Sequence, residues 1–452
     1  MGYFYTDKYV FSTIMTNMKL SLKLILLLLI TINGVSFSQE LVLQSVVASI
    51  SSENPESSFE DIMFLEEEFK NKKVISIGES THGTHEFALM RHKIFKYLVQ
   101  THGFNTIFLE DEYSRCLLID EYIKGRAKGN GKEIIQNFRN WTWFTEEMLN
   151  LIEWMRWYNQ QHPDDQLNFI GVDMQDGNHM IQEINRLLSS YNSDIIIELP
   201  EQLRDKVHEK WSTSEVKDFD NTVVKKLNVL MESIKFSEED RNVILRLAMH
   251  LEQYKIDHAE FGNGNTAYRD FCMGENIIYA MKNNTKLKGL FIAHNAHIAK
   301  VYEKKKSIKK SYGFAGGVLD AHFGDKHLAI AQEFDEGSFN AYYTKKKEPV
   351  HQEDFELMEI TIEKSIDNSI ASEFRNTDCS ICYIPMKKVA NIRSSKNYTG
   401  YKKAFHHHTI GGRFFPAKDN EQQTLEYIQS FDETFDAFIL FKKSTASNLI
   451  RE

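Results

Sequence analysis

Proline, cysteine and positive charge are all in short supply in this chain. Only 6 prolines occur in 452 residues, which excludes long Pro-rich linkers and favours continuous packed structure. The 4 cysteines are too few for a disulfide scaffold. Cys379 and Cys382 are spaced C-x-x-C but have no second pair to complete a tetrahedral zinc site. They read, with Cys116 and Cys272, as buried or unpaired thiols. Lys and Arg number 54 against 64 Asp and Glu, a formal net charge of −10. That balance gives nucleic acid no electrostatic footing. The short runs Lys304–Lys306 and Lys345–Lys347 read as solvated loops. No serine sits in a G-x-S-x-G elbow, so the acyl-enzyme route of the α/β-hydrolases has no visible nucleophile.

Long apolar runs are absent too. The longest, Leu24–Ile30, falls far short of the roughly 20 residues of a membrane span. It follows Lys19 and Lys23 and precedes Ser36-Phe37-Ser38, the layout of a secretory signal. Residues 1–38 are therefore expected to be a cleaved leader, with Met18 as an alternative start. The remainder would be exported, periplasmic or secreted, with no stable membrane span.

What is present is ordinary globular material, 42% hydrophobic and 26% charged, enough for a large core. Short apolar runs at Val74–Ile77, Thr106–Leu109, Leu167–Val172 and Leu290–Ala293 read as strands, with later ones at Leu328–Ala331, Ile381–Ile384 and Phe435–Phe441. From Thr84 to Thr101, Phe87, Met90, Ile94, Phe95 and Leu98 recur with helical period, and Gly103 is a natural stop. Strands alternating with helices predict an α/β fold, a mainly parallel sheet flanked by helices. Between Asn178 and Lys286 only helical patterns occur: Met180–Leu188, Leu203–Trp211, Val223–Ile234, Val243–Tyr254 and Tyr268–Met281. The expected division is a core of residues 39–178 and 287–452 with a helical insertion, or cap, over 179–286. His406-His407-His408 reads as a solvated loop or a rim contact.

The early strands share a signature. Glu79 follows the first, Glu110 the second, Asp173 the third and His294 the fourth. Parallel strands bring their C-terminal ends to one edge, where open α/β sheets bind ligands. The segment VISIGESTHGTHEF (Val74–Phe87) places Glu79, His82, His85 and Glu86 at a strand–helix junction. A neutral imidazole there can take a proton from water, and a neighbouring carboxylate can fix its tautomer. In FIAHNAHIAK (Phe291–Lys300), His294 and His297 are spaced to share a helix face. They are candidates for oxyanion stabilisation, as is Arg91, whose guanidinium can also orient carboxylates. Trp143 lies in an aromatic stretch with Trp141 that is expected to face the cleft, and Asp173 and His85 are further candidates for substrate binding.

Several motifs, in order and spacing, resemble those of the erythromycin esterase family. They are Gly78-Glu79-x-Thr81-His82-Gly83, Glu86-Phe87, Arg91, Phe104-Asn105-x-Ile107-x-Leu109-Glu110, Gly171-Val172-Asp173-Met174, Arg269-Asp270-x-x-Met273-x-Glu275-Asn276 and Ala293-His294-Asn295-Ala296-His297. The likeness runs from about Lys73 to Lys442. It implies an α/β core with a helical subdomain and a hydrolase that opens macrolide lactones with water. On that likeness His82 is the general base, with Glu79, Arg91, Glu110, His294 and His297 completing the site. The secretory leader and the extra imidazole of His85 depart from the family pattern. Three readings follow. The first is an esterase or lactonase acting on a small-molecule substrate without a cofactor. The second is a metal-dependent hydrolase or peptidase ligating a divalent ion through His82, His85, Glu110, His294 and His297. The third is a non-catalytic binder of haem or another hydrophobic ligand.

Overall fold

A computed structural model describes residues 44–450, apart from 192, 205, 207–208, 263–264, 301–312, 345, 347–351, 368, 395–405 and 415–430. The expected leader over residues 1–38, Lys304–Lys306, Lys345 and Lys347 lie outside the described residues. Among the described residues ten strands form one sheet: β1 (Ala48–Ile50), β2 (Val74–Ile77), β3 (Thr106–Glu112), β4 (Asn168–Asp173), β5 (Gly289–Ile292), β6 (His327–Tyr343), β7 (Glu356–Ile362), β8 (Ile381–Pro385), β9 (Arg413–Phe414) and β10 (Ala437–Ser444). Their order is β1-β8-β10-β6-β2-β5-β3-β4, with β7 and β9 added on β6. The stretch from β10 to β4 is parallel throughout. β8 pairs antiparallel with β10, β1 with β8, and β7 with β6. The protein is thus an α/β fold on a mostly parallel sheet flanked by helices.

Burial explains why these runs became central strands. All four residues of β2 and of β5 are buried, so both faces must be covered. Ile75 and Ile77 point into one apolar cluster, which holds Phe87, Met90, Ile94, Phe95 and Leu98 of the helix His85–His102. Val74, Phe108 and Phe291 point into the other, against Met273 and Ile277 of the helix Thr266–Asn283. This is the two-residue period of a strand. Each fully buried Phe or Leu stabilises the fold by about 1.5–3 kcal/mol relative to exposure. The helix His85–His102 stops at Gly103, whose left-handed φ of 66° suits a residue without Cβ.

Between β4 and β5 the described residues form helices around a third cluster, including Met180, Ile184, Leu247, Leu251 and Trp211. Ser237 caps the helix Glu238–Ile256 by accepting a hydrogen bond from the Asp240 amide. The helix expected over Leu203–Trp211 is corrected: the helical turn is Glu201–Arg204. Trp211 instead donates its amide to the His258 carbonyl at 3.0 Å and stacks on the His258 ring, centroids 4.6 Å apart. No helix among the described residues is long and apolar enough to cross a membrane.

The thiol expectation is also corrected. Cys379 and Cys382 form a disulfide, with Cα atoms 5.5 Å apart, within the ordinary range for a bridge. Cys116 and Cys272 are free and buried.

Candidate active site

Sheet register assembles the site. Ile77 pairs with Ile292, Ile292 with Leu109, and Leu109 with Gly171. Glu110 lies one residue beyond that line, and Glu79, Asp173 and His294 two. Side chains from four separate runs therefore meet at the C-terminal edge, where β5 inserts between β2 and β3.

Glu79 is fully buried and His82 is not. His82 Nδ1 donates to Glu79 Oε1 at 2.7 Å, and Arg91 Nη1 donates to Glu79 Oε2 at 2.5 Å. One carboxylate thus orients the imidazole while a buried guanidinium compensates its charge. Nε2 of His82 has no hydrogen-bond partner among the described residues and faces the cleft. The main chain fixes the same turn: the His82 amide donates to the Gly411 carbonyl, and the Ile410 and Gly411 amides donate to the Ser80 carbonyl. Gly411 has φ +62°, and a Cβ there would stand 3.7 Å from His82 Nε2. A glycine both permits the turn and leaves the imidazole open.

Behind this dyad lies a charged network. His294 and His82 have ring centroids 5.3 Å apart. The His294 amide donates to Glu110 Oε2 at 2.8 Å; its Nδ1 accepts from the Ala296 amide and its Nε2 donates to the Ser80 carbonyl. Burial, with His82 and His297 nearby, holds the His294 imidazole well below 6.5 and so neutral. His297 behaves oppositely. Burial disfavours its charge, but Asp270 on Nδ1 at 2.7 Å and Glu110 on Nε2 at 3.0 Å outweigh it and raise the imidazole to about 10. Arg269 donates to both oxygens of Asp173 and to Glu110. Burial pushes Glu110 and Asp173 upward. The facing cations win, His297 and Arg269 for Glu110 and Arg269 for Asp173, so both stay low.

A cleft of about 860 Å³ opens at this edge. His82, Glu110 and Trp143 line it, together with Trp141, Arg139, Arg269, Tyr342 and Arg413. The structure thus brings Glu79, His82, Arg91, Glu110, Asp173, His294, His297 and Trp143 together, though of these only His82, Glu110 and Trp143 line the cleft and the others sit behind it. Arg91 lies 5.9 Å from the Trp143 ring centroid. His85 goes elsewhere. As the first residue of its helix it turns away from the cleft and pairs with Glu147, whose hydrogen bond raises the imidazole. The solvated or rim reading of His406–His408 is corrected: His407 and His408 are buried, and His408 bonds Glu333 through both its amide and Nδ1 at 2.7 Å. This anchors the segment that carries Gly411 and Gly412 to the site.

Arg139, Arg269, Arg413 and Asp270 are contributors that sequence reasoning gave no role. For Arg269 and Asp270 the adjacent pair preceding Met273 was a usable signal; Arg139 and Arg413 sit in loop and short-strand context with none. The alternative metal set is not assembled. His85 faces Glu147, both His297 nitrogens face carboxylates, and both His294 nitrogens are engaged. Among the described residues no group of three or more His, Cys, Asp or Glu is placed to hold a metal ion. Ser80 Oγ is buried without a hydrogen-bond partner among the described residues, so no Ser–His pair exists there.

The structure thus presents a carboxylate-held imidazole over a polar cleft at the edge of an α/β sheet. The erythromycin esterase family model matches residues 99–444, and the chain belongs to that family. It is 22% identical over 283 residues to the erythromycin esterase type II of Escherichia coli, an alignment spanning 55% of this chain and 65% of that relative. Among solved structures, a Bacillus cereus protein superposes with TM-score 0.72 at 21% identity, covering 92% of this chain and 99% of that one. An erythromycin esterase, EreC, carrying a point substitution and captured in an open conformation, superposes with TM-score 0.59 at 14% identity over 90% of this chain and 99% of its own. These likenesses carry the fold.

Proposed function

We propose that the chain is an exported hydrolase that cleaves a carboxylic ester or lactone with water activated by His82. The observation that carries this is the Glu79–His82 pair, with Nδ1 committed to the carboxylate and Nε2 left open to the cleft. Nε2 takes a proton from a water molecule as its oxygen bonds to the substrate carbonyl carbon. The C=O electron pair moves onto oxygen, and Glu79 stabilises the imidazolium. Collapse of the tetrahedral species expels the alkoxide, which recovers the proton from Nε2. General-base action of this kind supplies about 10²–10⁴-fold. Charge on the developing oxyanion is met by Arg269, which lines the cleft, with the protonated His297 behind it. Arg91 is a positioning residue for Glu79, and Asp173 for Arg269. Export is supported by the leader pattern and by the Cys379–Cys382 disulfide, since such bridges persist in oxidising compartments.

The test is a turnover screen of simple esters, lactones and macrolides with the mature chain, run with and without chelator. Saponifiable substrates converted to acid and alcohol at a rate indifferent to chelator support the reading. No turnover of any ester or lactone, or activity abolished by chelator and restored by a divalent ion, sinks it.

A further inference from the structure

The cleft's lining is unlike that expected for an aliphatic lactone. Among the described lining residues none is Leu, Ile, Val, Met, Ala or Phe. Its apolar surface is aromatic, with Trp141 and Tyr342 in an edge-to-face pair 5.8 Å apart. Three arginines, Arg139, Arg269 and Arg413, line it beside a single carboxylate, Glu110, in a chain of net charge −10. Glu110 is already consumed: Oε1 faces Arg269 and His297, and Oε2 accepts the His294 amide. It offers a ligand cation little. Arg139 is the opposite case. Its Nη1 donates to Glu112 and Gln175, but Nε and Nη2 have no hydrogen-bond partner among the described residues. Burial, with Asp173 close by, pushes Glu112 up to about 8, and burial pushes Asp111 up to about 7. The raised Glu112 is thus a weak partner for Nη1, while Asp173 and Asp176, held low in part by Arg139, stay ionised behind it; what Arg139 has left for the cleft is its unused N–H groups.

We infer that the substrate is an ester that carries a free carboxylate besides the scissile bond, and that Arg139 binds that carboxylate. The rest of such a molecule is polar or ring-shaped rather than aliphatic, to suit the Trp141–Tyr342 wall. A guanidinium with unused N–H groups matches a carboxylate's two oxygens. The inference rests on the hydrolase reading for the word ester, but the anion site can be tested apart from it.

Two matched series separate the claims. The first is the 4-nitrophenyl esters of butyric, succinic and 4-aminobutyric acid, which differ only in terminal charge, assayed by nitrophenol release. The second is the corresponding anilides (butyranilide, succinanilic acid and 4-aminobutyranilide), used as uncleaved ligands in titration calorimetry. The acid is expected to lead the amine by roughly tenfold or more in kcat/KM and in affinity at low salt. The lead should shrink as salt is added. Arg139→Gln should cut the acid-to-amine ratio in both series by roughly tenfold; a ratio is insensitive to partial loss of folded protein. A flat or amine-favouring order among the anilides overturns the anion site whether or not any ester turns over. Acid-favouring binding without ester turnover keeps the anion site and removes the hydrolase reading.

Discussion

Replacing Glu79 by Gln is the sharpest perturbation the site allows, because it keeps shape and removes one charge. Glu79 is fully buried between two donors, His82 Nδ1–H at 2.7 Å and Arg91 Nη1 at 2.5 Å. An amide can accept from only one of them. Arg91 is itself buried and cannot lose its proton, so the amide oxygen turns to the guanidinium and the NH₂ turns to His82. That face of the imidazole must then accept, its proton moves to Nε2, and the atom facing the cleft can no longer take one from water. The whole general-base contribution is at stake, about 10²–10⁴-fold in kcat. At about 1.36 kcal/mol per decade this is roughly 3–5 kcal/mol of barrier. Loss of the carboxylate charge facing the buried Arg91 guanidinium should also lower stability by about 2–3 kcal/mol. Steady-state hydrolysis of an accepted ester, with urea unfolding alongside, reads both. Adding Arg91→Met frees the amide to offer its oxygen to His82, so the double variant should regain at least about tenfold over Glu79→Gln. A Glu79→Gln protein with near-native kcat, or a double variant no better than the single, would refute the tautomer argument.

Other expectations follow from the same structure. His297 has its imidazole raised to about 10. Its contribution is therefore fully present below about 6.5 and lost as pH rises through about 10. Wild type should lose on the order of 3 kcal/mol between neutral and alkaline pH that His297→Gln does not lose, read from paired urea titrations. Reducing the Cys379–Cys382 bridge, which closes a loop with sequence separation 3, should cost about 2 kcal/mol by chain entropy; an unchanged Tm under reductant would contradict this. His85→Ala should leave kcat/KM within about twofold, since His85 serves Glu147 rather than the cleft, while costing about 1 kcal/mol of stability. Gly411→Val should cut kcat/KM by at least about tenfold, because its Cβ sits 3.7 Å from His82 Nε2 at a left-handed φ.

Much of the site was legible because it lies at strand ends. Short apolar runs stopping at Glu79, Glu110, Asp173 and His294 announce a parallel sheet edge, and parallel register then forces convergence. Three things were hidden. The order of the strands is one: β3 follows β2 in sequence but β5 lies between them, a matter of long-range packing. The extent of β6 is another. The apolar core Leu328–Ala331 suggested four residues, yet the strand runs His327–Tyr343 because β7 and β9 pair with its polar second half. The last is the segment around His408. Three consecutive histidines look like a solvated loop until Glu333, three residues past the point where Ile330 pairs with Ile77, supplies a buried carboxylate. Local polarity predicts exposure only where no distant partner exists. For the same reason His85, close to His82 in sequence, belongs to a different neighbourhood: His82 sits in the turn before the helix, while His85 opens the helix beside its distant partner Glu147.

The most direct measurement is hydrolysis of an accepted ester by His82→Asn, with circular dichroism and unfolding midpoint recorded on the same preparation. Loss of at least about 10²-fold in kcat/KM in a protein that folds like wild type is the predicted result. A His82→Asn protein, equally folded, that still hydrolyses the ester at the native rate would show that the proton is taken by some other group.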